Sequence, residues 1–123
     1  MSEKIEKIKN LINEIDDKPD ELHLDITPSV LALSKLGLDI IPYLKEPLSS
    51  KDGYTRLHAQ RTLELIISHH FGFVTGQGWK DPKGEETFRE LWQNNGSYNF
   101  EADEKVRLKS IEVWMSWYKQ NTK

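Results

Sequence analysis

LDIIPYLKEPLSSKDGYTRLHAQRTLELII, residues 38–67, is the stretch on which the fold turns. Its first part places Ile40, Ile41, Leu44 and Leu48 on one face of a helix predicted from Leu38 to about Leu48. Proline lacks the N–H that a helix interior needs, so Pro42 fits only in the first turn and Pro47 only near the end. Ser49 to Gly53 is a turn by composition. A longer helix follows from Tyr54 to His70, with Leu57, Ala59, Leu63, Ile66 and Ile67 at helical spacing. Leu57 and Leu65 lie off the Ala59–Leu63–Ile66 stripe, so this helix is expected to be sandwiched between neighbours.

On the N-terminal side, Thr27-Pro28 is a cap followed by proline at the first helical position, where a missing N–H costs nothing. Val30, Leu31, Leu33 and Leu36 then form a short helix that Gly37 closes. Ile5, Ile8, Leu11, Ile12 and Ile15 recur at spacings of three and four, predicting an amphipathic helix that ends near Asp17. Lys18-Pro19-Asp20 breaks it, and a polar linker runs to Asp25.

On the C-terminal side, Phe71 to Lys80 carries Gly72, Gly76 and Gly78 without helical period and reads as a mobile loop. Asp81-Pro82 repeats the cap-plus-proline signal, and Phe88, Leu91 and Trp92 give a fifth helix its face before Asn94-Asn95-Gly96. A last helix from about Ala102 to Gln120 is apolar at Val106, Leu108, Ile111, Val113, Trp114, Met115, Trp117 and Tyr118, leaving a narrow polar side. No strand-like alternation is sustained. About six helices in one domain over residues 1–123 are therefore expected, an all-α stack of antiparallel hairpins.

Charge and composition narrow the functional classes. The net charge of −3 is concentrated before residue 27, where eight carboxylates face four lysines. Sequence-independent nucleic-acid binding needs a basic surface to displace phosphate counterions, and this chain offers no Lys/Arg run, so nucleic acid is not the expected partner. With no cysteine, disulfides, thiolate nucleophiles and Cys-based zinc sites are excluded. Charges in the first ten residues and the lack of a long apolar run predict neither a signal peptide nor a membrane span, and place the chain in the cytoplasm.

Residues 38–67 resemble one full HEAT repeat. The family pattern is an apolar first helix, an Asp in the turn, an Arg four residues on, and Ala and Leu spaced down the second helix; Asp52, Arg56, Ala59 and Leu63 match it. Each match also has its own physical reason. Asp52 can cap the second helix, Arg56 can reach back to the turn, and Ala59 permits close helix approach. Pro28 to Leu36 with Gly37-Leu38 resembles the second helix of a shortened repeat. The tail, with Gly78-Trp79, Tyr98-Asn99-Phe100, Arg107, Ile111 and Trp114-Met115-Ser116-Trp117, is similar to one found after HEAT-like repeats in bacterial proteins. The resemblance implies a solenoid fragment that works as a binding surface. One clear and one degenerate repeat fall short of the ~3 usually needed, so flanking helices must cap the stack.

Several residues invite chemical readings. His69-His70 with His58 suggests a metal, but neighbours on a helix point about 100° apart and no H-E-x-x-H or cysteine completes a ligand set. Gly72 to Trp79 is glycine-rich like a phosphate loop yet lacks the Lys-Ser/Thr pair and a preceding strand. Phe73, Val74 and Trp79 could instead anchor a partner, aromatics being frequent hot-spot residues. Trp92, Trp114 and Trp117 have the spacing of core residues, and Asp16, Asp17, Asp20 and Glu21 that of a solvated helix end able to attract a basic partner. Glu85-Glu86 and Asp103-Glu104 sit where helix starts favour acids.

The function expected from these residues is a protein-binding module, with no catalytic residue, metal or cofactor assigned. Docking would use an inter-helix groove or the Gly72–Lys80 loop, with Arg56, His58, Arg61 and Trp79 as contacts. A bacterial immunity, adaptor or regulatory protein fits the size and acidity. The alternative is a metal- or His-dependent hydrolase built around His58, His69 or His70.

Overall fold

The computed structural model describes residues 3–122; Met1, Ser2 and Lys123, the extreme ends of the expected domain, lie outside the described residues. Among the described residues the fold is all-α: six α-helices, one 3-10 segment and a two-residue hairpin. In order they are α1 (Glu3–Asn13), α2 (Pro28–Lys35), the 3-10 segment Leu38–Leu44, α3 (Lys45–Leu48), α4 (Gly53–His70), β1 (Phe73–Val74), β2 (Gly78–Trp79), α5 (Pro82–Asn94) and α6 (Glu104–Asn121).

α1 stops earlier than its apolar period predicts. Ile15 N–H bonds back only three residues, to the Ile12 carbonyl, because tertiary partners take over there. The Thr27 hydroxyl donates to the Ile15 carbonyl at 2.9 Å while accepting from Val30 N–H at 3.1 Å, so the cap of α2 also clamps the end of α1.

The predicted helix over 38–48 is corrected to a 3-10 segment with one α-turn. Pro42 and Pro47 remove two helical donors, and tighter winding accommodates their loss. The expected face survives, because Ile40, Ile41, Leu44 and Leu48 are all fully buried.

α4 is the centre of the packing. Asp52 Oδ1 caps it by accepting from Tyr54 N–H at 2.9 Å. Its buried residues run around the helix, from Ala59 and Leu63 to Leu65 and Ile67, and it touches α2, α3, the 3-10 segment, α5 and β1. The sandwiched position follows.

A second hub is the extended segment before α6. Tyr98, buried, donates to the Leu48 carbonyl at 2.5 Å, Phe100 N–H donates to Gln60 Oε1 at 2.9 Å, and Trp92 Nε1 donates to the Tyr98 carbonyl at 3.2 Å. Burial pushes the Tyr98 phenol up to about 12, against the pull of nearby Arg107 and Arg56. The folded state therefore keeps this proton after the unfolded chain, near pH 10, has lost it. Stability from the neutral phenol is complete below pH 10 and falls as pH rises toward 12, by about 2–3 kcal/mol over that window. Urea midpoints measured from pH 8 to 12 should show this decline, and Tyr98→Phe should flatten it.

α6 departs from the expected polarity. Val106 and Leu108 are 50% and 44% exposed, whereas Arg107 and Ser110 are buried. Both polar side chains find main-chain partners, Arg107 Nε at the Ala102 carbonyl (2.9 Å) and the Ser110 hydroxyl at the Asn95 carbonyl (2.6 Å). Satisfied hydrogen bonds make their burial tolerable.

The expected mobile loop is corrected as well: Phe73 pairs with Trp79 and Val74 with Gly78 in an antiparallel hairpin. Strands of two residues are too short to leave an alternation in the sequence. α5 packs beside the hairpin through Gly84, where any Cβ would overlap the Phe71 carbonyl and crowd the Trp79 ring. Alanine normally stabilises a helix over glycine by about 1 kcal/mol. Here Gly84→Ala is expected to destabilise by about 1–3 kcal/mol, read as a lowered urea midpoint.

Candidate functional site

Between α4 and α5, closed at one end by the hairpin, runs a groove of about 240 Å³. Phe73, Trp79 and Phe88 form its aromatic wall, and Arg61 and Arg89 stand among its lining residues. The pairing of Phe73 with Trp79 puts both rings on one side of the hairpin, 5.4 Å apart, and Trp79 lies 6.0 Å from Phe88 on α5. The row continues inward from Phe88 to Trp92 (5.8 Å), Trp114 (5.4 Å) and Trp117 (5.6 Å). Such spacings are those of tilted and edge-on aromatic contacts, so the half-buried wall is backed by further rings, of which Trp114 is fully buried.

The rim is charged on both signs. Arg89 Nη2 lies 2.7 Å from Glu85 Oε2, one turn away on α5, with 70% of its side chain exposed. Arg61 Nη1 donates to Glu64 at 3.2 Å. Its Nε lies 3.2 Å from Asp25 Oδ2 yet makes no aligned hydrogen bond, so that contact is an ion pair only. Through it the Asp25 end of the linker meets the groove.

Of the four residues singled out from sequence, the groove unites Arg61 and Trp79. The other two lie outside the groove and are tied into the fold. Arg56 donates from Nε to the Phe100 carbonyl and from Nη1 to the Ser50 carbonyl, both at 2.9 Å, so its guanidinium ties the turn before α4 to the segment before α6. His58 has a side chain 2% exposed, wedged between Asp16 Oδ1 (2.6 Å) and the Leu24 carbonyl (2.9 Å). His58, enclosed in this way, does not reach a partner, and half-buried Arg56 has two of its donors held by the fold.

The same geometry bears on the hydrolase alternative. Thr55 gives its hydroxyl proton to Asp16 rather than to His58, and both imidazole nitrogens are already occupied. That leaves no nitrogen to accept a proton from a nucleophile, which general-base catalysis requires. His69 Nε2 instead meets Thr75 Oγ1 at 3.0 Å and its ring stacks on Phe73, while His70 packs edge-on to Phe71. Among the described residues no group of three His, Asp or Glu side chains is placed to hold a metal.

Phe88, Arg89 and Gly84 were not singled out as site residues by sequence reasoning. Phe88 was legible as part of an apolar helix face, but its meeting with Trp79 depends on a hairpin register that the sequence does not display. A larger concavity, about 620 Å³, lies between α1 and residues 42–49, lined by Ile12, Pro42, Tyr43, Lys9, Lys45 and Glu46. The smaller groove concentrates the aromatic and arginine side chains that dominate binding energies, so it is the better candidate.

No helix among the described residues is long and apolar enough to cross a membrane. No family model matches the chain, and no curated protein or solved structure matches it.

Proposed function

We propose that this protein is a non-catalytic, HEAT-like interaction module that holds a protein partner in the groove between α4 and α5. The single observation that carries this reading is the aromatic wall of Phe73, Trp79 and Phe88 standing beside Arg61 and Arg89 in an open cleft. Aromatic side chains bring large contact area at low entropic cost, and arginine adds directional hydrogen bonds at the edge. The HEAT-like assignment is supported by Asp52 capping α4, Arg56 bonded back to the turn, and Ala59 fully buried. A bacterial adaptor or immunity protein of the cytoplasm is the setting this reading favours.

The test is affinity capture from the native host, followed by binding measurements on what is retained. Wild-type protein is expected to keep a stoichiometric protein partner, and Trp79→Ala to weaken it by at least about tenfold. Arg89→Glu, a charge reversal on an exposed side chain of the rim, should change the affinity while leaving the melting curve in place. Capture of no stoichiometric partner, or affinity indifferent to both substitutions, contradicts the proposal.

A further inference from the structure

The linker between α1 and α2 is a built loop. Asp20 N–H donates to the Ile26 carbonyl at 2.8 Å, closing it, and Asp20 Oδ2 accepts from the main-chain N–H groups of Leu22 and His23. His58 grips the Leu24 carbonyl from below, and Arg61 pairs with Asp25. Held this way, the loop turns Leu22 and Leu24 outward, 87% and 59% exposed, among Asp17, Asp20 and Glu21. They are the two most exposed leucines among the described residues. Five carboxylates and one lysine lie between Asp16 and Asp25.

We propose that this loop and the α4–α5 groove form one docking face, joined at the Asp25–Arg61 pair, whose occupant is a basic amphipathic segment of a protein partner. The inference rests on the reading of the groove as the binding site and adds the chemistry of what binds. Aliphatic or aromatic side chains of the segment would cover Leu22, Leu24 and Trp79, and its lysines or arginines would face exposed Asp17 and Glu21. Complementary charge selects this occupant, since nucleic acid, an anionic membrane and a second copy of this chain, with its own net charge of −3, all bring the same sign. Because the loop's main chain is already tied down, binding need not meet the cost of ordering it.

The probes are three labelled helical peptides of one length and pattern, leucine with lysine, leucine with glutamate and serine with lysine, titrated by fluorescence anisotropy. The leucine–lysine peptide is expected to bind about tenfold or more tightly than the other two, and less tightly as salt rises. A Leu22→Asp, Leu24→Asp double variant makes the loop more acidic, so charge alone predicts tighter binding; the proposal predicts about tenfold weaker binding with an unchanged melting curve. Equal binding of all three peptides, binding of none, preference for the glutamate peptide, or wild-type affinity in the double variant overturns the proposal. So does tighter binding of a DNA oligonucleotide or anionic vesicles, or self-association that the double variant abolishes. Trp79→Ala separates the two claims. Peptide binding lost in Trp79→Ala but kept in the double variant overturns the loop and spares the groove, and the opposite pattern overturns the groove.

Discussion

Trp114→Ala is expected to lower the stability of the fold by about 3–5 kcal/mol, and its melting temperature by about 12–20 °C. Trp114 is fully buried and lies between Trp92 at 5.4 Å and Trp117 at 5.6 Å. Truncation removes its transfer energy and leaves a cavity that rigid helical backbones on either side close only in part. A domain of this size has roughly 5–15 kcal/mol of stability in total, so a loss near the upper end leaves the protein close to unfolding. Trp114→Phe separates packing from polarity. The indole Nε1 is buried with no hydrogen-bond partner, so phenylalanine gives up no bond and should restore most of the loss. Thermal melts of both variants check this. Equal damage from alanine and phenylalanine would mean that the indole nitrogen, not the ring, matters. The effect reaches the surface too, because Trp114 supports Trp92, Phe88 and Trp79 in sequence.

His58→Ala is the second large effect, about 3–4 kcal/mol, and its origin is different. The ring joins Asp16 and the Leu24 carbonyl to α4, so its removal strands one part-buried main-chain acceptor and takes the charge-assisted partner from a carboxylate. Asp16 is 38% exposed in its side chain, and water offsets part of that second loss. The rest comes from the cavity. Since the same contact fixes the linker loop, amide exchange between Asp17 and Asp25 should speed up more than exchange in α4 or α6. A uniform rise across the chain would show that His58 supports the global fold but not the loop.

How much was legible beforehand depended on the range of the forces involved. Caps and stripes are local: Thr27, Asp52 and Asp81 announced helix starts because each side chain bonds to an N–H within three residues of itself, and all three do. The apolar face of Ile40, Ile41, Leu44 and Leu48 was equally readable, although the winding beneath it was not, since two prolines left α and 3-10 geometry close in energy. The end of α1 escaped because Thr27 and His58, far along the chain, draw Ile15 and Asp16 out of the helix. α6 misled for a related reason. Arg107 and Ser110 find carbonyls that exist only once the preceding segment has folded, so two polar residues go inward and two apolar ones outward.

The candidate site was half legible. Arg61 and Trp79 were picked by residue type, which is a property of the sequence, and they meet in the groove because α4 and the hairpin bring them there. Arg56 and His58 were picked on the same ground and proved to be fasteners, since burial and hydrogen bonding are properties of the fold. Leu22 and Leu24 sat unnoticed in a segment read as polar linker, and only the turn closed by Asp20 reveals that they face water.

The most direct test of the groove uses the four tryptophan indole N–H resonances in a two-dimensional nitrogen–proton spectrum, recorded while the captured host partner is added. The account predicts a large shift at Trp79 together with Arg61 and Arg89 amides, and little change at fully buried Trp114. Shifts gathered around Lys9, Tyr43 and Lys45, with Trp79 unmoved, would place the binding face on the larger concavity beside α1 and contradict it.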